Sequence, residues 1–492
     1  MQFDFLPDEV FFGGAVTSGV SQPYKVDYVG EIDLTFNNSP NQMMPLLVST
    51  GGRWIYKRDG MRISFQAGKI IIDEDVLFGK VDGGLREAYL HAMSNFFPFH
   101  TIKLDNILFE RPVYNTWIEL TFNQSQDKIL DYAHSIIENK LPAGLLIIDD
   151  GWTNYYGDWT FSKNSFADAE AMIRELHELG FKVMVWVCPF ITADTCEYRY
   201  LEKNNLLLKT DKDEVHIAKW WNGHSAILDM RKEKAAAWLK TQLDNLMNIG
   251  VDGFKFDAGD SFYYPHDGNE HSLAWAEFGE QYSLNEFRVT YGAGGYSLVQ
   301  RLCDKDHSWN ERGLASLVPN AIVQGLTGHP FLSPDMIGGG EYLNFYEQKR
   351  LDADLFVRWA QIAAMMPIMQ FSAAPWRVLD SNSFKKILEA VALRKRYQVF
   401  FQESVSISIS SGEPILRPLA YNFNDRDCFG VIDQFMIGER LMVVPLLERE
   451  ACSRAAYFPK GRWMSDSGAE INSDGNWQEI DCDGVSVYVL LS

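Results

Sequence analysis

The chain has 492 residues, too many for one ordinary hydrophobic core, and its 46% hydrophobic and 14% aromatic content fits two or three packed domains rather than a disordered polymer. With 45 Lys and Arg against 66 Asp and Glu, the formal charge of −21 argues against nucleic acid, an anionic membrane surface or an anionic substrate as partner. Six scattered cysteines without CxxC spacing fit reduced thiols and give no zinc signature.

The first eight residues are acidic and lack the basic and apolar parts of a signal peptide. No apolar run approaches the roughly 18 residues of a spanning helix. A cytoplasmic location is therefore expected, although a removed leader would leave the same sequence. Residues 1–110 alternate apolar and polar in short runs, such as 31–36 and 68–73, which predicts an antiparallel β-sandwich domain. From about 112 the pattern changes. A strand is predicted over 113–122, a helix over 126–140, a buried strand over 144–150 and a helix over 167–179 stopped by Gly180. A strand over 181–187, a helix over 234–249 stopped by Gly250 and a strand over 251–257 follow. Strand and helix keep alternating to about 400. That pattern predicts an α/β fold, a (β/α)8 barrel over 111–400, with a doubly wound sheet as the alternative. Arg394-Lys395-Arg396 is expected as the solvated last turn of a helix. Residues 401–492 return to short strands and turns, a C-terminal β domain.

Four predicted strand ends carry polar groups where a barrel keeps its chemistry. Asp149 and Asp150 follow an apolar run, and two adjacent carboxylates there suit sugar hydroxyls. Trp186 could lay an indole against a sugar face. Lys255 and Asp257 are separated by one residue, so both point to one side of their strand. Lys255 would keep Asp257 ionised, and an ionised carboxylate is a competent nucleophile. The exit 300–309 supplies Asp304, Asp306 and His307 as proton-handling groups. A structural ion pair at Asp257 is the plainer alternative for that residue taken alone. Paired carboxylates acting across a glycosidic bond account for the four together. No HxH, HExxH or GxSxG pattern is present, so neither a metal nor a cofactor is expected.

These segments resemble glycoside hydrolase family 31: Gly144–Trp152, Gly157–Phe161, Gly180–Phe190, Phe254–Asp257, Asp306–Trp309, Gly328–Gly340, Met442–Leu447 and Phe458–Trp463. The resemblance implies a β-sandwich, a (β/α)8 barrel, a C-terminal β domain and hydrolysis of α-glycosides with retention. It puts Asp257 at the nucleophile and Asp306 at the acid/base, with Asp304 as the alternative two residues away. Asp149, Asp150, Trp186, Lys255, Arg301, Trp309 and Asp335 fall on positions that line the sugar pocket. Two departures stand out. The family's α-glucosidases carry Trp-x-Asp-x-x-Glu around the nucleophile, where this chain has Phe256-Asp257-Ala258-Gly259-Asp260. They also carry a late Arg-x-His, where Met366–Trp376 has no His. Both departures resemble the branch of the family that acts on α-galactosides, and Asp-Asp-Gly-Trp with Lys-x-Asp also occurs in family 36 α-galactosidases. The expected substrate is thus a small α-galactoside or oligosaccharide. Another α-glycosidase, or a carbohydrate-binding protein without catalysis, is the alternative. Homo-oligomerisation stays open.

Overall fold

Short, fully buried apolar runs in the middle of the chain become parallel strands because crossover helices cover them from outside. In the computed structural model, which describes residues 1–346 and 351–491, these strands are β1 (Val113–Asn115), β2 (Leu145–Ile148), β3 (Lys182–Val187) and β4 (Gly253–Phe256). They continue with β5 (Asn285–Phe287), β6 (Gln300–Arg301), β7 (Leu332–Ser333) and β8 (Gln370–Phe371). Spatial order follows chain order, and β8 returns to pair with β1. The seam between β7 and β8 is bridged by Ile368 N–H to Leu332 O at 3.1 Å and Ile337 N–H to Gln370 O at 2.9 Å. The barrel is therefore nearly closed.

The covering helices are α1 (Gln126–Glu138), α2 (Ala169–Glu178), α3 (Glu233–Asn248), α4 (Gly268–Gly279), α5 (Leu317–Leu326), α6 (Ala353–Ala364) and α7 (Ser381–Arg396). The first three are amphipathic, as their spacing predicted, whereas α5 is buried all round. Asp168, Asp352 and Asp380 cap α2, α6 and α7 through the backbone N–H of Ala171, Leu355 and Ser383. Alternation breaks once, because residues 288–299 join β5 to β6 without a helix. Between β3 and α3 an insertion forms a three-stranded sheet from Phe190–Ile191, Ile217–Trp220 and Gly223–Ile227.

The N-terminal region forms two four-stranded antiparallel sheets around Phe11, Leu47, Ile55, Phe65 and Ile70, followed by an unexpected helix over Leu85–Phe96. Its segment 40–44 packs on the helix-less link. Asn41 Nδ2 donates to the Arg288 and Arg301 carbonyls at 3.0 and 3.1 Å. The Gln42 amide donates to the Arg288 carbonyl at 2.9 Å, and Met43 N–H to Thr290 O at 3.1 Å. At the other end, a six-stranded and a two-stranded antiparallel sheet follow the helix Gln398–Ser411.

Two expectations change here. The strand predicted over 113–122 stops at Asn115, whose Oδ1 accepts the Trp117 N–H at 2.7 Å and turns the chain into a short helix over Trp117–Leu120. Arg394 is buried rather than solvated. Its guanidinium donates to the carbonyls of Ala364, Met366, Pro367 and Phe109, tying α7 to the bottom of the barrel.

Candidate active site

Asp257 follows β4, and the residues after it bend at once into left-handed backbone: Ala258 has φ 58° and Gly259 φ 79°. The alanine stores roughly 1–2 kcal/mol of strain there. The bend brings Asp260 back beside Asp257, so a single guanidinium reaches both. Arg288, one residue past β5, donates from Nε to Asp257 Oδ1 at 3.1 Å. Its Nη1 and Nη2 donate to the two oxygens of Asp260 at 3.1 and 2.9 Å. Trp186 Nε1 donates to Asp257 Oδ2 at 3.0 Å, and Lys255 Nζ lies 4.0 Å from the same oxygen. Burial opposes the charge on Asp257. Arg288 first, then Lys255 and Arg301, outweigh it and hold the carboxyl well below the usual carboxylate range.

Strand register sets the neighbours. Trp186, Lys255 and Glu286 stand in one row across β3, β4 and β5. Lys255 Nζ donates to Asp149 Oδ2 at 2.6 Å, and Asn115 donates to the same oxygen at 2.7 Å. Asp150 accepts from Asn222 at 2.6 Å and from the Tyr156 hydroxyl at 3.2 Å. Burial, reinforced by the charge of Asp149, pushes Asp150 up to about 7. Asp149 is thus a clamped carboxylate, whereas Asp150 can carry a proton below neutrality and donate it in a hydrogen bond.

Arg301 ends β6. Its Nη1 donates to Asp304 Oδ1 and Asp335 Oδ1, each at 2.8 Å. Asp335 is fully buried, and its other oxygen accepts the N–H groups of Lys305 and Gly340, both at 2.7 Å. It fixes the loop that carries Asp304. Asp304 opens to the cavity with its side chain 52% exposed. Partial desolvation inside the cavity pushes this carboxyl up, but Arg301 and Arg288 hold it below the usual range.

A cavity of about 540 Å³ collects these groups. Asp149, Asp150, Trp186, Lys255, Asp257 and Arg301, all expected at a site, line it together. Asp304, Asp260 and Arg288 line it too. Asp306 does not. It faces away at the surface and pairs with Arg312 at 2.9 Å, because the chain turns where Ser308 N–H donates to the Asp306 carbonyl at 2.8 Å. Trp309 is also outside, its indole donating to Asp352 at 3.0 Å, and Asp335 lies behind the wall. Arg288 went unread in the sequence, yet its signal was present. Glu286-Phe287-Arg288 repeats the charge–aromatic–charge pattern of Lys255-Phe256-Asp257. The cavity mouth is aromatic, with Trp117, Phe122, Trp221, Phe262, Tyr263 and Tyr342 around it.

Comparison with known proteins gives the family of the barrel and of the C-terminal domain. The model of the glycosyl hydrolases family 31 TIM-barrel domain matches residues 111–301, and that of the family 31 C-terminal domain matches 412–490. The myogenesis-regulating glycosidase of Mus musculus is 32% identical, covering 73% of this chain and 53% of the relative. Alpha-glucosidase 2 of Bacillus thermoamyloliquefaciens is 22% identical, covering 73% of this chain and 49% of the relative. The chain thus spans about half the length of these two relatives. A Flavobacterium johnsoniae GH31 dextranase mutant complexed with isomaltotriose superposes with a TM-score of 0.85 at 18% identity, covering 100% of this chain and 66% of that one.

Proposed function

Since this chain belongs to glycosyl hydrolase family 31, we propose that it is a retaining exo-α-galactosidase with Asp257 as nucleophile and Asp304 as acid/base. One observation carries the reading. Asp257 is held ionised by Arg288 and oriented by the Trp186 indole, at the floor of the same cavity into which Asp304 opens. Asp257 attacks the anomeric carbon while Asp304 protonates the departing oxygen. Asp304 then takes a proton from the water that cleaves the glycosyl ester. A bound sugar desolvates Asp304 and, with the Asp257 charge nearby, favours the protonated form that the first step needs. The cations that lower Asp257 also make it a good leaving group in the second step.

Carboxylates outnumber cations in the cavity, and Lys255, Arg288 and Arg301 are each already paired, which favours a neutral sugar. Galactose is favoured by Phe256 and Asp260 at the nucleophile turn. It is also favoured by the stretch 366–376, which contributes no cavity-lining side chain. Asp149 and Asp150 offer the acceptors and donor that an axial hydroxyl requires.

The second reading is an α-glucosidase, the activity in the name of the Bacillus relative. Parallel hydrolysis of aryl α-galactoside, α-glucoside, α-xyloside and N-acetyl-α-galactosaminide separates them. Turnover is expected on the α-galactoside and lost in Asp257→Ala. Faster cleavage of another glycoside overturns the galactose assignment. Near-normal turnover in Asp257→Ala overturns the nucleophile. Binding without turnover across the panel returns the chain to the binding-protein alternative.

A further inference from the structure

We propose that the cavity mouth is a subsite for an apolar aglycone, alkyl or aryl, an inference that rests on the glycosidase reading of the cavity floor. Floor and mouth differ in chemistry. Hydroxyl-reading groups are concentrated at the floor, whereas the mouth presents two sets of rings. From the β1 and β7 side, Trp117 packs edge-on against Phe122 at 5.2 Å and against Tyr342 at 5.6 Å between centroids. From the β3 and β4 side, Tyr263 meets Phe262 at 4.5 Å and Trp221 at 6.2 Å. The outermost rings stand open to solvent: Phe122 is 52%, Trp221 48% and Phe262 49% exposed.

Two of these three are phenyl rings, which offer a ligand no hydrogen bond. Two polar side chains beside them, Asn222 and Glu341, are already engaged. The Asn222 amide donates to Asp150 and Tyr156, and Glu341 Oε1 accepts the Leu343 N–H at 3.1 Å. A hexose at this level would find its partners in the indole N–H groups of Trp117 and Trp221 and the phenols of Tyr263 and Tyr342, and none on Phe122 or Phe262. An alkyl or aryl group would instead cover exposed apolar area, which is favourable in proportion to the area removed from water. The rings line the same cavity as Asp257, so a glycoside seated there directs its aglycone between them.

The test is a chain-length series. Methyl, propyl, butyl and hexyl α-galactosides have leaving alcohols of nearly equal acidity, so the demand on the acid/base is constant and the slope reports the mouth alone. A rise in kcat/KM of about two- to fourfold per methylene is expected, the upper value corresponding to full burial of each methylene at about 0.8 kcal/mol. Phe122→Ser and Phe262→Ser are expected to flatten the slope. The wild-type series decides the matter even if neither variant folds. A flat series, or a galactosyl-hexose cleaved faster than the hexyl glycoside, overturns the proposal. The methyl glycosides test the sugar assignment separately. If methyl α-glucoside is turned over and methyl α-galactoside is not, that assignment fails, and the same series on α-glucosides still measures the mouth.

Discussion

Replacing Arg288 with Met separates the two tasks assigned to this guanidinium. At 3.1 Å from Asp257, with charge centres about 4 Å apart and an effective dielectric near 20, the pair is worth about 4 kcal/mol, or about three pH units. Arg288→Met is expected to move the acid limb of kcat/KM up by about two to three pH units, because Asp257 then ionises later on the way up from low pH. Lys255 and the Trp186 indole remain, so Asp257 is still charged at neutral pH. The loss at pH 7 then reflects orientation alone, up to about a hundredfold. The variant also orphans Asp260, which is buried, at a stability cost of about 3–5 kcal/mol. Burial already raises the Asp260 carboxyl. The cost is therefore greatest at high pH and shrinks as the pH falls through the raised value and the group takes up a proton. The double variant Arg288→Met/Asp260→Asn should recover stability but not the acid limb. The assays are pH–rate profiles on an activated aryl glycoside and urea unfolding. An acid limb within about half a unit of wild type would refute the electrostatic role.

Asp304→Ala is expected to lose at least about a hundredfold on glycosides with poor leaving groups and far less on activated aryl glycosides, which need no protonation. Asp306→Ala should stay within about twofold on both, as a surface substitution outside the cavity; the reverse ranking would restore Asp306 as the acid/base. Asp150→Asn keeps an acceptor for Tyr156 and Asn222 but cannot titrate. The raised carboxyl of the wild type favours the protonated folded state, so stability falls as pH rises from about 4 to about 7, by up to about 4 kcal/mol. Unfolding midpoints at pH 5 and pH 8 should diverge in wild type and converge in the variant. Equal divergence in both would sink the assignment.

Strands β2 to β4 were legible because they run four to six residues, and the helices beside them carry clear apolar faces. Spacing alone put Lys255 and Asp257 on one side of their strand, and both do line the cavity, but it left a structural ion pair as an equal reading. The second half was harder. Strands β5 to β8 are two or three residues long, too short for any periodic signal, and β5 connects to β6 without a helix. Asp304 and Asp306 could not be separated by alternation because the chain turns at Asp306, a decision made by the loop's own backbone hydrogen bonds. The charge–aromatic–charge pattern marked Arg288 as a strand-end charge, but only strand pairing brings it across to Asp257.

The contact between segment 40–44 and the helix-less link has a structural consequence for the whole chain. Arg288 and Arg301 both lower the carboxyls of Asp257 and Asp304, and the carbonyls of both arginines hang from Asn41. Pro40 also accepts from the Arg288 guanidinium at 3.0 Å. The N-terminal sheets thus act as a keystone rather than an appendage. A cut near residue 110, which the element pattern alone would recommend, removes these holds on Arg288 and Arg301.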